Sequence, residues 1–165
     1  MRKLRIPLLK LLSGVCVALF IWMTAIGTLQ VVSRHMQRPS AWTEEVLTYS
    51  FAWMALLAAA LVAGKREHMR LTFLIDKLGE KQRKTAEILV ELIFAAFSLL
   101  IFVYGGYEIC KLTMTQVTPV LQLHMGKVYA VMPVAGLLML FFCACNILDI
   151  KEGKFEGAGQ KEAAR

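Results

Sequence analysis

The chain reads as an all-α membrane protein: four transmembrane helices, both termini cytoplasmic, and a short cytoplasmic interfacial amphipathic helix between spans two and three. Three observations predict this. Of 165 residues, 58% are hydrophobic and 19% charged, with a mean hydropathy of +0.58; a soluble domain of this size has too little interior to hide that much apolar side chain. The apolar residues gather into four runs free of charge. Finally, the 19 Lys and Arg that set the net charge of +7 are unevenly placed between those runs, 15 on one alternate side and 4 on the other. The positive-inside rule then puts both termini and the loop from Lys65 to Lys84 in the cytoplasm.

Span one, about 11–33, follows Arg2, Lys3, Arg5 and Lys10 and is uncharged for 23 residues. At about 1.5 Å per residue it covers roughly 35 Å, enough to cross the ~30 Å hydrocarbon core. A cleaved signal peptide shares the basic start, but this run is too long and ends in Gln30-Val31-Val32-Ser33-Arg34 rather than a small-x-small site. Spans two and four are placed at about 46–64 and 128–148. Span three, about 88–110, has the shortest uncharged run, bracketed by Glu91 and Glu108, whose carboxylates are expected at headgroup level. Its helical pattern extends from about Glu80 to Gln116, which predicts a long, tilted helix.

Between spans two and three, Leu71, Leu74, Ile75 and Leu78 share one stripe while Arg70, Asp76 and Lys77 lie off it, with Gly79 as a C-cap. This is the interfacial helix, about 70–78. Residues 1–150 thus form one integral membrane domain. The tail, 151–165, is charged and rich in Gly and Ala and is expected to be disordered.

The composition of the spans argues against chemistry in this chain. Spans one, two and four contain no ionisable residue, so no ion or proton pathway is indicated. Cys16, Cys110, Cys143 and Cys145 are absent from the outward loops where a thiol oxidoreductase would need them, and read as packing residues. His35, His68 and His124 are spread over both rims, unlike the facing axial ligands of a membrane haem. No phosphate loop, zinc spacing or nucleophile elbow occurs. The expectation is a non-enzymatic protein with no cofactor and no metal. Rows of small residues (Gly14 and Ala18; Thr24 and Thr28; Ala55, Ala59 and Ala63; Ala60 and Gly64) permit close helix approach and are expected mostly to pack the bundle internally. A ridge of Phe94, Phe97, Ile101 and Tyr104 on span three suits lipid or a partner membrane protein.

The order of short motifs resembles the small membrane subunit, the DctQ-like family, of the tripartite ATP-independent periplasmic (TRAP) transporters, over about residues 8–150. The resemblance rests on Arg34 ending span one and Trp42-Thr43-Glu44-Glu45 opening span two. It continues with Gly64-Lys65-Arg66-Glu67-His68 closing span two, then the Leu71 to Leu78 helix. Thr118-Pro119-Val120-Leu121 follows, ahead of Tyr129 and Pro133. Leu123-His124 departs from the family, which often has a proline there.

The resemblance implies a bacterial inner-membrane subunit with two protein partners besides lipid: a large many-span subunit that carries substrate and sodium, and a periplasmic substrate-binding protein. The small subunit would bind and stabilise the scaffold of the large one. Candidate partner-interface residues are Arg34, Trp42, Glu44, Glu45, Gly64, His68, Pro119, Tyr129 and Pro133. Of these, Glu44 or Glu45 with Arg34 is expected to make a partly buried polar contact with the large subunit. The plainer reading is that the glutamates favour a helix N-terminus, at roughly 0.3–1 kcal/mol each. The solute stays open among sialic acid, dicarboxylates and other organic acids. A stand-alone small exporter would need a charged cavity residue in the spans, and a redox or quinone-linked protein would need outward cysteines or paired histidines. Neither set is present.

Overall fold

The structure, a computed structural model, describes residues 2–36, 40–65 and 80–151. The expected interfacial helix 70–78, His68 and the tail beyond Lys151 lie outside the described residues. The described chain is helical: α1 (Arg2–His35) and α2 (Ala41–Lys65), then α3 (Glu80–Phe97), a π-helix (Ser98–Gly105) and α4 (Gly106–Leu112) in unbroken succession. A loop leads to α5 (Met125–Tyr129) and α6 (Val131–Lys151). Four stretches are long and apolar enough to cross a membrane: Arg5–His35, Ala41–Lys65, Thr85–Leu112 and Met125–Ile150. Each extends beyond its uncharged run, because terminal charged residues continue the helix into the headgroup layer.

The four spans stand in the spatial order one, two, four, three. α1 packs along α2, α2 along α6, and α6 along the third span, so α1 and the third span form the two edges of the row. The core lies where the two inner helices meet: Leu57, Ala60 and Ala63 of α2 against Val131, Met139 and Phe142 of α6, joined by Leu12 of α1. Phe142 is wholly buried and meets Phe141 edge to face, ring centroids 5.8 Å apart. In lipid such contacts act through close packing, since hydrocarbon is no less apolar than a leucine.

The small residues divide unevenly. Ala60, Ala63 and Gly64 are buried, but Gly14, Ala18, Thr24, Thr28 and Ala55 are exposed, so those rows do not pack the bundle internally. The hydroxyls of Thr24 and Thr28 bond back to the carbonyls of Phe20 and Thr24 in their own helix. The ridge on the third span also splits: Phe94 is half-buried against the core, while Phe97, Ile101 and Tyr104 are exposed.

Two departures from regular helix have local causes. Within the π-helix the turn widens, so that the N–H of Gly106 reaches the Ile101 carbonyl five residues back. This segment crosses α6 at Gly136, where a Cβ would lie 2.7 Å from Phe102 Cβ, and Ser98 Oγ donates to the Gly136 carbonyl at 3.2 Å. Pro133, expected to kink span four, coincides with a break instead. In an unbroken helix its missing N–H would have been directed at the Tyr129 carbonyl; the interruption at Ala130 places the ring in the first turn of α6, where no such bond is needed.

Candidate functional site

At the end of the bundle away from the termini, Glu45 organises the loop between the third and fourth spans. Its Oε1 accepts the N–H of Val120 and its Oε2 the N–H of Leu121, each at 3.0 Å. Thr118 is fully buried and closes the same loop, donating its N–H to the Leu123 carbonyl (2.9 Å) while its hydroxyl accepts the Leu123 N–H (3.1 Å). An antiparallel bridge between Val117 and His124 and a left-handed Gln122 (φ 53°) complete a tight hairpin carrying Pro119 at its exposed turn. Trp53, expected to sit within its span, reaches the base of this structure, where its Nε1 donates to the Val128 carbonyl at 2.9 Å.

Glu45, Pro119 and Tyr129 are therefore gathered at one end, Tyr49 linking Glu45 to Tyr129 electrostatically. Arg34, Trp42 and Glu44 are exposed at that same end of α1 and α2. Of the glutamate pair, Glu45 is engaged within the chain and only Glu44 keeps its carboxylate outward.

The opposite end, where both termini lie, holds a polar cluster that the spacing of charges along the chain did not reveal. Arg5 of α1 donates from Nη1 to Asp149 Oδ2 of α6 (2.8 Å) and from Nη2 to the carbonyl of Gly64 at the end of α2 (2.7 Å). Both ionic side chains are mostly covered, at 17% and 21% exposure. Next to them Asn146, buried in α6, donates from Nδ2 to the Ala63 carbonyl of α2 (3.2 Å) and to Glu91 Oε1 of α3 (3.0 Å).

Glu91 is thus half-buried and turned onto α6 instead of reaching out to headgroups. Gly64 belongs to this cluster because a Cβ there would lie 2.6 Å from Leu9 Cδ2 and 3.0 Å from Phe142 Cγ. The only sequence signals for the cluster were Asn146, a lone amide in an apolar run, and Asp149 just beyond it. Among the described residues no group of three or more His, Cys, Asp or Glu side chains is placed to hold a metal ion.

Four spans, a loop pinned by Glu45 at one end and a Gly64 junction at the other place the matching motif residues at definite positions in the fold. A family model described as the DctQ component of tripartite ATP-independent periplasmic transporters matches residues 23–152. The chain belongs to this family.

This DctQ component is a multi-pass membrane protein and a small subunit of a transporter, not an enzyme. It is 26% identical over 140 residues to a putative TRAP transporter small permease protein of Haemophilus influenzae, covering 84% of this chain and 86% of that one. It is 27% identical over 128 residues to the sialic acid TRAP transporter small permease protein SiaQ of Vibrio cholerae, covering 77% and 73%. Against the sialic acid TRAP transporter permease protein SiaT of Haemophilus influenzae, 26% identity extends over 138 residues, 82% of this chain but only 22% of that longer protein.

In the DctQ component studied here, Asn146→Leu is expected to destabilise the bundle by about 1.5–3 kcal/mol, because Glu91 and the Ala63 carbonyl lose a shared donor inside the membrane. Reversible unfolding of the detergent-solubilised chain measures this. An unchanged midpoint would show that water reaches Glu91 as well as the amide does.

Proposed function

We propose that this chain binds and stabilises the scaffold of a large, many-span permease subunit. Together they would form a sodium-driven TRAP transporter in the bacterial inner membrane, taking up an organic acid delivered by a periplasmic binding protein. The observation that carries this reading is the pair of alignments: the same unit accounts for most of a separate small permease protein and for about a fifth of a longer TRAP permease. A unit found both free and as part of a larger permease works beside the remainder of it. The one-two-four-three row supports the reading physically, since it presents broad apolar surfaces, with Phe97, Ile101 and Tyr104 along one edge, that can widen a scaffold within the bilayer. The charge asymmetry supports cytoplasmic termini, which would put the Glu45 hairpin on the periplasmic side.

On this reading the outward residues Arg34 and Glu44, together with Trp42 and Tyr129, lie where they can meet the large subunit. Sialic acid is named for two of the relatives and stands as the first solute to try.

Purification of the tagged chain from its native membranes in mild detergent is expected to bring a much larger permease with it. Arg34→Gln or Glu44→Gln is expected to lower the yield of that complex by tenfold or more if either charge is buried against the partner, since an uncompensated interfacial charge costs roughly 3–5 kcal/mol. Recovery of the chain alone from wild-type membranes, or solute flux through liposomes containing only this chain, would overturn the assignment.

A further inference from the structure

The three contacts between neighbouring spans are not secured alike. α2 and the fourth span are tied at both ends, by Trp53 Nε1 to the Val128 carbonyl (2.9 Å) and by Asn146 Nδ2 to the Ala63 carbonyl (3.2 Å). The fourth span and the third are tied at mid-membrane by Ser98 to Gly136 (3.2 Å), near the termini by Asn146 to Glu91 (3.0 Å), and covalently by a short hairpin.

α1 is different. Among the described residues its polar contacts with other helices come from Arg5 alone, while the hydroxyls of Thr24, Thr28 and Ser33 bond within α1 itself. Its apolar seam is also thin beyond the core: Gly14 has nothing within 4 Å of a notional Cβ, and Gly27 meets Leu47 Cδ1 only at an ordinary 3.9 Å. Apolar helix faces in lipid do not by themselves select one rotation or depth, because a slid or turned helix exchanges protein contacts for equivalent lipid contacts. A charged fork that must satisfy both a carboxylate and a helix-terminal carbonyl does select one.

We propose that Arg5 is the hinge pin of α1: its fork on Asp149 and the Gly64 carbonyl sets the rotation and depth of the whole helix, and the far end of α1 is positioned from that point. Arg5 and Asp149 are 144 residues apart, so α1 acquires its final place only when the last span is in the membrane. The proposal concerns the bundle itself and stands independently of the permease partner.

The test is disulfide trapping in the full chain, in native membranes, with the four native cysteines replaced by alanine. The reporter pair is Gly27→Cys with Leu47→Cys, far from the clasp; a Val117→Cys with His124→Cys pair across the hairpin bridge reports that the rest of the chain is folded. With Arg5 present, or with Arg5→Lys, the reporter pair is expected to oxidise efficiently. In Arg5→Gln and in Asp149→Asn its yield is expected to fall at least threefold, with new trapping between Gly27→Cys and Phe51→Cys, one turn along, while the hairpin pair is unaffected. Should either single variant fail to accumulate, the double variant Arg5→Gln, Asp149→Asn leaves no unpaired charge and provides the same readout. Wild-type trapping of the Gly27→Cys, Leu47→Cys pair in Arg5→Gln or in the double variant would overturn the proposal, as would equal loss of the hairpin pair.

Discussion

Gly136→Ala is expected to destabilise the bundle by about 1–3 kcal/mol, although alanine is the better helix former. An isolated helix gains roughly 0.5–1 kcal/mol from the same exchange. At position 136 the added methyl would lie 2.7 Å from Phe102 Cβ, 2.9 Å from Val103 Cγ2 and 3.2 Å from the Phe102 carbonyl carbon. A Cβ and a backbone carbon cannot swing aside as the tip of a side chain can, so the third span has to move off α6 and Ser98 loses its acceptor. The loss outweighs the gain. Gly14→Ala is the matched control, because its methyl meets nothing within 4 Å and only the helix-forming gain remains. Unfolding of both variants in detergent, followed by tryptophan fluorescence, is expected to move the midpoints in opposite directions. A Gly136→Ala chain as stable as wild type would mean that the π-helix yields at no cost.

The two adjacent glutamates at the start of α2 are expected to separate sharply. Glu45→Gln turns an amide N–H₂ toward one of the two backbone donors that the carboxylate now receives from Val120 and Leu121 at 3.0 Å. Hydrogen bonds to a charged group are worth about 1.5–3 kcal/mol, and the exposure of Val120 to water places the cost toward the lower figure. Amide exchange at Val120 and Leu121 is therefore expected to quicken by about tenfold or more. Glu44→Gln is expected to leave those rates unchanged, since that carboxylate is exposed and takes no part in the hairpin. Its effect, if it has one, belongs to partner yield. If Glu44→Gln loosens the hairpin as much as Glu45→Gln does, the division of roles between the two residues is wrong.

Glu44 and Glu45 show how far the candidate site was legible. Their place at the head of a membrane helix follows from the charge boundary at Val46, and Pro119 and Tyr129 could be picked out as motif residues by order alone. That Glu45 caps the loop ahead of the fourth span, 75 residues away, could not be read, because nothing local distinguishes it from its neighbour. Only the rotation of α2 against that loop turns one carboxylate inward. Glu91 makes the same point in reverse. A carboxylate at the edge of an apolar run reads as interfacial, and it becomes an internal acceptor only because Asn146 is brought opposite it.

What the sequence determined by itself is what depends on one helix at a time: four stretches long enough to cross hydrocarbon, their ends, the alternation of positive charge between them, and the family. Each is a matter of transfer between water and lipid along a continuous segment. The order one, two, four, three, the closure of α1 by Arg5 on Asp149, the exposure of Gly14 beside the burial of Gly64, and the π-helix at the Gly136 crossing were decided only by the tertiary structure. A soluble helix marks its inner face with apolar residues. A membrane helix is apolar on every side, so its pattern does not say which face meets protein and which meets lipid, and that choice rests on close packing and a few polar contacts between segments far apart in the chain.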